Sequence, residues 1–155
     1  GEESPMHPLR RILVTTDFSD VAENAVAYAR DLAEALGTEL WMLHVYEIPM
    51  LSFPIEGAGI STASWAADLS SHWQKKLDAS AERQRGRGVA VTALLRNGVA
   101  HDEIKRVAEE RGADLIVMGT HGRTGASRVL LGSVAERVVR TATRPVLTVS
   151  PKATA

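Results

Sequence analysis

Short apolar runs alternate with amphipathic stretches along the whole chain, and this alternation constrains the fold more than any other feature. Runs such as Ile12-Leu13-Val14 and Leu115-Ile116-Val117-Met118 are apolar on both faces, which is typical of strands buried between two layers of helices. The stretches between the runs carry apolar residues at helical spacing. The pattern predicts an α/β fold: a single-domain, doubly wound sheet of five parallel strands, most simply in the order 3-2-1-4-5.

Capping and turn residues predict where these elements begin and end. Ser19 or Asp20 is expected to cap the first helix, and Gly37 to end it. We predict a second helix at 65–85. The predicted strands lie at 11–16, 40–46, 89–95, 115–118 and 146–149.

The predicted domain spans residues 9–150, between a flexible leader at 1–8 and a flexible tail at 151–155. The connection at 47–64 is rich in Pro, Gly and Ser. It is long for a connection within a domain, so we expect it to be either functional or mobile.

The second predicted helix carries large apolar side chains four residues apart: Trp65, Leu69, Trp73 and Leu77. Such a stripe packs a helix against a sheet, or it covers a partner or a ligand. We interpret it as packing and keep the partner surface as the alternative.

Two glycine-containing segments follow the fourth strand and suit a bound phosphate. Gly119 and Gly122 permit a tight turn whose backbone N–H groups can approach a ligand closely. Gly132 and Ser133 open a helix, where unpaired N–H groups and the positive end of the helix dipole attract anions. A polar loop at 123–128 joins the two segments. Together they predict a phosphate site.

The first strand ends in Thr15, Thr16 and Asp17, a second polar group. In the predicted strand order a crevice opens between strands one and four at their carboxyl ends, where ligands of open α/β sheets bind. Both local signals therefore point to one site. An ionised Asp17 can only accept hydrogen bonds, so it suits ribose hydroxyls, a base amino group or a metal. Capping of the first helix is its alternative role.

Of four other polar residues, three have two interpretations each. His121 either donates to a phosphate or is an exposed loop histidine. Arg123 and Arg128 either hold phosphate oxygens or stay solvated, and Arg128 is the better candidate because it is nearer to Gly132. His44 lies in an apolar strand, so we expect a buried histidine with satisfied hydrogen bonds.

Composition and missing motifs argue against several functional classes. The net charge of −1 argues against a nucleic-acid or anionic-membrane surface, and the absence of cysteine excludes disulfides and thiolate chemistry. No His/carboxylate cluster indicates a metal site. The motifs G-x-G-x-x-G, G-x-x-x-x-G-K-[ST] and G-x-S-x-G are missing, and no base is matched with a nucleophile, so we assign no catalytic residue. No apolar run reaches the length of a membrane span, and a cytoplasmic protein is expected.

From residue 10 to residue 150 the chain resembles a universal stress protein of the ATP-binding branch. The resembling blocks are ILVTTDFS at 12–19, Leu43-His44-Val45, DLIVMGTHG at 114–122, GSVAERV at 132–138 and Arg144-Pro145-Val146-Leu147. The family's nucleotide motif, G-x2-G-x9-G-[ST], is matched by Gly119, Gly122, Gly132 and Ser133.

The resemblance implies a Rossmann-like fold of the adenine nucleotide alpha hydrolase type, with ATP, alone or with Mg²⁺, between strands one and four. It implies that Asp17 meets the ribose or base, that the Val45 backbone meets adenine, and that Thr15 and Thr16 line the pocket. Met118 and Gly119 would approach the ribose and α-phosphate. The residues implied at the phosphates are His121, Gly122, Arg128, Gly132, Ser133 and Val134. Some relatives carry proline at the position of Thr15 and a hydroxyl residue at that of Ala135, so one phosphate contact would be missing here.

The resemblance also implies a homodimer joined through the strand at Val146–Val149. The residues give the same expectation, because pairing an uncharged edge strand covers its unpaired backbone groups.

These inferences predict an ATP-binding protein that senses nucleotide state in a stress response and is not a fast catalyst. Two alternatives stay open at this point. One is a slow ATPase or a nucleotidyl- or phosphoryl-transferring enzyme; the other is a dimeric interaction module that needs no nucleotide.

Overall fold

Strands and helices alternate throughout the residues that the structure, a computed structural model, describes: 8–48, 62–86, 88–121 and 131–151. The elements are β1 (Arg11–Thr15), α1 (Asp20–Leu36), β2 (Glu39–Tyr46), α2 (Thr62–Gln84), β3 (Val91–Asn97), α3 (Ala100–Glu110), β4 (Leu115–Gly119), α4 (Ser133–Thr141) and β5 (Val146–Val149). All pairings are parallel, in the order β3-β2-β1-β4-β5. The predicted fold class and strand order are confirmed.

The sheet separates two apolar cores, because residues along each strand point alternately to its two faces. On one face Ile12 and Val14 of β1 pack with α1 and α2. On the other face Leu13 packs with α3 and α4. Both sets of side chains are at most 1% exposed, which explains why β1 is apolar at consecutive positions. The central strands β1 and β4 pair directly, with Leu13 opposite Ile116.

Ser19, not Asp20, caps α1. Its Oγ accepts a hydrogen bond from the Ala22 N–H at 3.2 Å, while Asp20 is the first residue of the helix. At the other end Gly37 adopts the left-handed conformation, with φ 68°, and its N–H donates to the Ala33 carbonyl. The predicted end of this helix is therefore confirmed.

The predicted start of β3 at residue 89 is wrong, because a turn precedes the strand. Val89 forms an antiparallel bridge with Gly86 and donates its N–H to the Gly86 carbonyl at 3.3 Å. Gly88 has φ 78° within this turn. Ladder pairing to β2 begins only at Val91 and runs to Asn97, two residues beyond the predicted end.

The second helix begins at Thr62, so the last three residues of the predicted connection at 47–64 are helical. The residues from 49 to 61 lie outside the described part of the chain, and so do 1–7 of the predicted leader and 152–155 of the predicted tail. The predicted site residues Gly122, Arg123 and Arg128 lie outside it as well.

The apolar stripe of α2 faces the sheet, as the packing interpretation expects. Leu77 is fully buried in the core that α1 and α2 share. Trp73 is half-buried and lies nearly parallel to the ring of Phe18, with centroids 5.9 Å apart. Trp65 and Leu69 are also half-buried. The stripe thus anchors α2 most firmly at Leu77.

Candidate ligand site at the carboxyl ends of β1 and β4

A cleft of about 310 Å³ opens where β1 and β4 end. The helix that follows β1 lies on one face of the sheet, and the helix that follows β4 lies on the other. The two connections therefore diverge, and the cleft lies between them. The predicted site residues that line the cleft are Thr15, Thr16, Asp17, Val45, Met118, Gly119, His121, Gly132, Ser133 and Val134. The structure therefore brings the two sequence motifs together at one place.

The beginning of α4 supplies the side of the cleft suited to an anion. Gly132 is its N-cap residue and makes no side-chain cap hydrogen bond, in contrast to Ser19 at α1. The first N–H groups of a helix have no partner within the helix, and they carry its positive dipole end. Ser133 and Val134, the first two residues of α4, line the cleft. These amides are suited to receive phosphate oxygens.

A backbone hydrogen bond joins the beginning of α4 to the end of β4. The Gly132 N–H donates to the Thr120 carbonyl at 2.6 Å, and the Thr120 N–H donates to the Val149 carbonyl at 3.1 Å. Thr120, which directly follows β4, is therefore tied to both β5 and α4. The two glycine segments are held side by side although a nine-residue stretch, 122–130, separates their described parts.

Gly119 serves packing against α1, a role that the sequence did not reveal. A Cβ atom at this position would lie 3.0 Å from Val21 Cγ1 and 3.3 Å from the Val21 carbonyl oxygen. Both distances are shorter than ordinary van der Waals contact, so a larger residue at this position would require Val21 to shift. Gly119 also lines the cleft, but close approach to α1 is by itself sufficient reason for a glycine.

The turn after β1 presents the acidic side of the cleft. Asp17 lines the cleft, and its Oδ1 accepts a hydrogen bond from the Ser19 N–H at 3.0 Å. Thr16 is buried, and its Oγ1 accepts from the Phe18 N–H at 3.0 Å and lies 3.2 Å from Glu23 Oε2. Because Ser19 caps α1, Asp17 is not needed as the cap. Its carboxylate can serve as a ligand acceptor while it orders the turn.

His121 is half-buried at the cleft and not an exposed loop residue. Its Nδ1 lies 2.9 Å from the Thr120 hydroxyl. Its Nε2 is buried and has no hydrogen-bond partner among the described residues. A buried nitrogen without a partner is costly, so a ligand atom that bonds to Nε2 would remove that cost.

The remaining wall of the cleft is apolar, and sequence reasoning missed most of it. This wall is formed by Leu43 and Val45 of β2 together with Ala100 and Ile104 of α3. Ala22, Thr120 and Ala135 also line the cleft without having been predicted. The four-residue spacing of Ala100 and Ile104 shows that they share a helix face. Their contact with the cleft depends on where α3 lies on the sheet, for which the sequence carries no local signal.

The described residues contain neither a metal-binding cluster nor a helix that could span a membrane. Among them, no group of three or more His, Cys, Asp and Glu side chains is placed to hold a metal ion. Within the same ranges, every helix is too short or too polar to cross a membrane.

The fold and the cleft define a doubly wound α/β protein with a candidate ligand site where the strand order reverses. The model of the universal stress protein family matches residues 8–150, and the chain belongs to this family. The resemblance to the universal stress protein family is thereby confirmed.

Three relatives illustrate the similarity. Universal stress protein MJ0531 of Methanocaldococcus jannaschii is 38% identical over 141 residues, which cover 90% of this chain and 81% of the relative. The solved structure of MJ0577, from the same organism, has a TM-score of 0.79 at 30% identity and covers 96% of this chain and 100% of its own. A universal stress protein solved in complex with cAMP has a TM-score of 0.70 at 24% identity, with 94% of this chain and 100% of its own covered.

Proposed function

We propose that this protein binds ATP in the cleft between β1 and β4 and acts as a nucleotide-sensing regulator in a stress response. One observation carries the proposal: the N-terminus of α4, whose N-cap residue is a glycine, faces the same cleft as the acidic turn after β1 and an apolar wall from β2 and α3. A nucleotide carries groups that suit these three parts of the cleft: anionic phosphates for the helix end, a hydroxylated sugar for the acidic turn, and a flat, largely apolar base for the apolar wall.

Each part of the ligand has proposed contacts. Adenine would lie against the Val45 backbone and the apolar wall, and Asp17 would accept from the ribose or the base. Met118 and Gly119 would approach the ribose and the α-phosphate, and Thr15 and Thr16 would complete this part of the wall. The phosphate contacts would be His121, Gly122, Arg128, Gly132, Ser133 and Val134. Ala135 offers no hydroxyl, so the backbone of α4 would carry the phosphates there.

The protein solved with cAMP shares the fold with this chain, but at 24% identity it does not indicate which nucleotide this chain binds. The choice of ATP rests on this chain's own phosphate-side groups. The amides at the beginning of α4, a histidine nitrogen and the glycine motif would be more than a single phosphate needs.

Equilibrium titration tests the proposal directly. ATP is expected to bind with a Kd well below about 1 mM, and AMP and cAMP more weakly, since they carry fewer phosphate charges for α4. The titration is run with and without Mg²⁺ by calorimetry on protein stripped of nucleotide. Mass spectrometry of the denatured, unstripped protein shows any adenine nucleotide that co-purifies. A Kd for ATP of millimolar or weaker under both conditions contradicts the proposal.

The proposal includes a cytoplasmic homodimer joined through Val146–Val149. In the described sheet β5 lies at the edge and pairs only with β4, so its outer backbone groups face away from the sheet. Pairing with β5 of a second copy would satisfy them. Sedimentation equilibrium at micromolar concentration is expected to give twice the chain mass of 16.7 kDa. A monomer at these concentrations would contradict this part of the proposal.

A further inference from the structure

The turn that follows β1, Thr16-Asp17-Phe18, has a conformation that its residues do not favour alone. Phe18 has φ 68°, in the left-handed region that bulky side chains rarely adopt. Such a conformation persists only where the surrounding structure holds it. Since this turn carries Asp17, the groups that hold it also place the carboxylate in the cleft.

His44 on β2 contacts this turn from the sheet face that α1 and α2 cover. Its side chain is buried, and its Nδ1 lies 2.7 Å from the Thr16 carbonyl oxygen. A carbonyl oxygen can only accept, so Nδ1 carries the hydrogen and donates it. The Thr16 N–H in turn donates to the Leu43 carbonyl at 2.9 Å. Both backbone groups of Thr16 are therefore bonded to β2, one of them through the His44 side chain.

Aromatic packing secures the other end of the turn. The ring of Phe18 lies 4.6 Å from that of His44 and 5.9 Å from that of Trp73, measured between centroids. The Lys76 ammonium nitrogen is 5.6 Å from the Phe18 centroid. These contacts lie on the sheet face that α1 and α2 cover, whereas Leu43 and Val45 point to the cleft. His44 does not line the cleft, and its contacts with Thr16 and Phe18 connect it to the turn that carries Asp17.

We propose that His44 is the positioning residue of the ligand-binding carboxylate: the hydrogen bond from its Nδ1 to the Thr16 carbonyl holds Asp17 in the orientation that binds the nucleotide. This inference deepens the proposed function and rests on it for the identity of the ligand. It predicts that the contribution of Asp17 to affinity depends on a buried side chain on the opposite face of the sheet.

Matched substitutions at residue 44 separate the hydrogen bond from the ring. His44→Phe retains an aromatic ring without the donor, and His44→Asn retains an N–H close to the position of Nδ1 without the ring. The loss of the hydrogen bond in His44→Phe is expected to weaken ATP binding about tenfold, and His44→Asn should recover most of this loss. If His44→Phe does not fold, His44→Gln replaces it, because the longer side chain places its N–H near Nε2.

A double-mutant cycle with Asp17→Asn tests whether His44 acts through Asp17. In that case the affinity loss of the double variant His44→Phe/Asp17→Asn equals that of Asp17→Asn alone. Met42→Ala is the control, because Met42 is fully buried on the same face of β2 but lies one pleat further from the turn. Met42→Ala should lower the stability of the protein. It should leave the affinity for ATP unchanged both in the wild type and in the Asp17→Asn variant.

A measurement without nucleotide tests the positioning role even if ATP does not bind. Amide hydrogen exchange, followed by NMR, reports the Phe18 and Ser19 N–H groups, which are bonded to Thr16 and Asp17 within the turn. In His44→Phe these two amides should exchange about tenfold faster relative to the Glu23 amide in α1, and in Met42→Ala they should not.

The two failures are distinguishable. Absence of ATP binding by the wild type overturns the proposed function, and the exchange rates then decide the role of His44. Unchanged relative exchange in His44→Phe, or affinity losses that add in the double variant, overturns the positioning role whatever the ligand is.

Discussion

Gly132→Val lowers the affinity for ATP by about 100-fold or more, and the protein remains folded. The effect on binding arises because the substitution adds an isopropyl group at the N-cap position of α4, where the phosphates are proposed to meet the first amides of the helix. A side chain in this place both occupies the space and keeps the phosphate oxygens from the N–H groups.

The fold should tolerate this change, because Gly132 does not use the conformational freedom of glycine. Its φ of −59° and ψ of 160° are accessible to valine. The hydrogen bond from its N–H to Thr120 involves only the backbone and can persist. Circular dichroism and the thermal midpoint check that folding is retained, and calorimetric titration gives the affinity.

Ala142→Val is the matched control. Ala142 caps the other end of the same helix with φ −69° and ψ 146°, a similar backbone conformation, and it does not line the cleft. The Ala142→Val substitution should leave the affinity for ATP unchanged.

A folded Gly132→Val protein that binds ATP like the wild type would show that the beginning of α4 is not part of the proposed site. Any ATP hydrolysis that persists in a non-binding Gly132→Val protein comes from a contaminant.

The largest effect on stability is expected for Leu77→Ala, which should lower the free energy of unfolding by about 3 kcal/mol. Leu77 is fully buried between α2 and the sheet, so its truncation both loses apolar burial and leaves a cavity. Urea unfolding followed by circular dichroism measures the change.

Leu69→Ala is the comparison for Leu77→Ala on the same helix and stripe. Leu69 is only half-buried, so the same truncation should cost about 1 kcal/mol. Equal losses would show that the stripe is not packed as the structure has it. A negligible loss at both positions would favour the alternative that the stripe covers a partner.

The strand order was predictable because it depends on properties that are local in the chain. Consecutive apolar residues such as Ile12, Leu13 and Val14 mark a strand that is buried on both faces, and amphipathic stretches mark the crossover helices. Parallel strands joined by such crossovers allow few arrangements. The start of β3 was missed because Val89 is apolar like the strand residues after it. Its bridge to Gly86 is a feature of the turn that apolar periodicity cannot distinguish from strand pairing.

The position of the candidate site was also predictable, although its details were not. The place where the strand order reverses brings Asp17 and Gly132 to one edge of the sheet, whatever the exact packing. Ala100 and Ile104, by contrast, line the cleft only because α3 lies across β2. Gly119 was interpreted as a means of ligand approach, and the structure adds a second role, because its missing Cβ makes room for Val21.

Sequence patterns thus sufficed for the family, the α/β sheet and the edge at which a ligand would bind, because apolar spacing, capping residues and glycine motifs act over a few neighbouring residues. The three-dimensional arrangement was needed to show that His44 supports Thr16 and that Gly119 accommodates α1. Those roles depend on close approaches between residues far apart in the chain: 2.7 Å from His44 Nδ1 to the Thr16 carbonyl oxygen, and 3.0 Å from Val21 Cγ1 to the place that a Cβ atom on Gly119 would take. Such distances are set by the packing of whole helices and strands, and no local pattern encodes them.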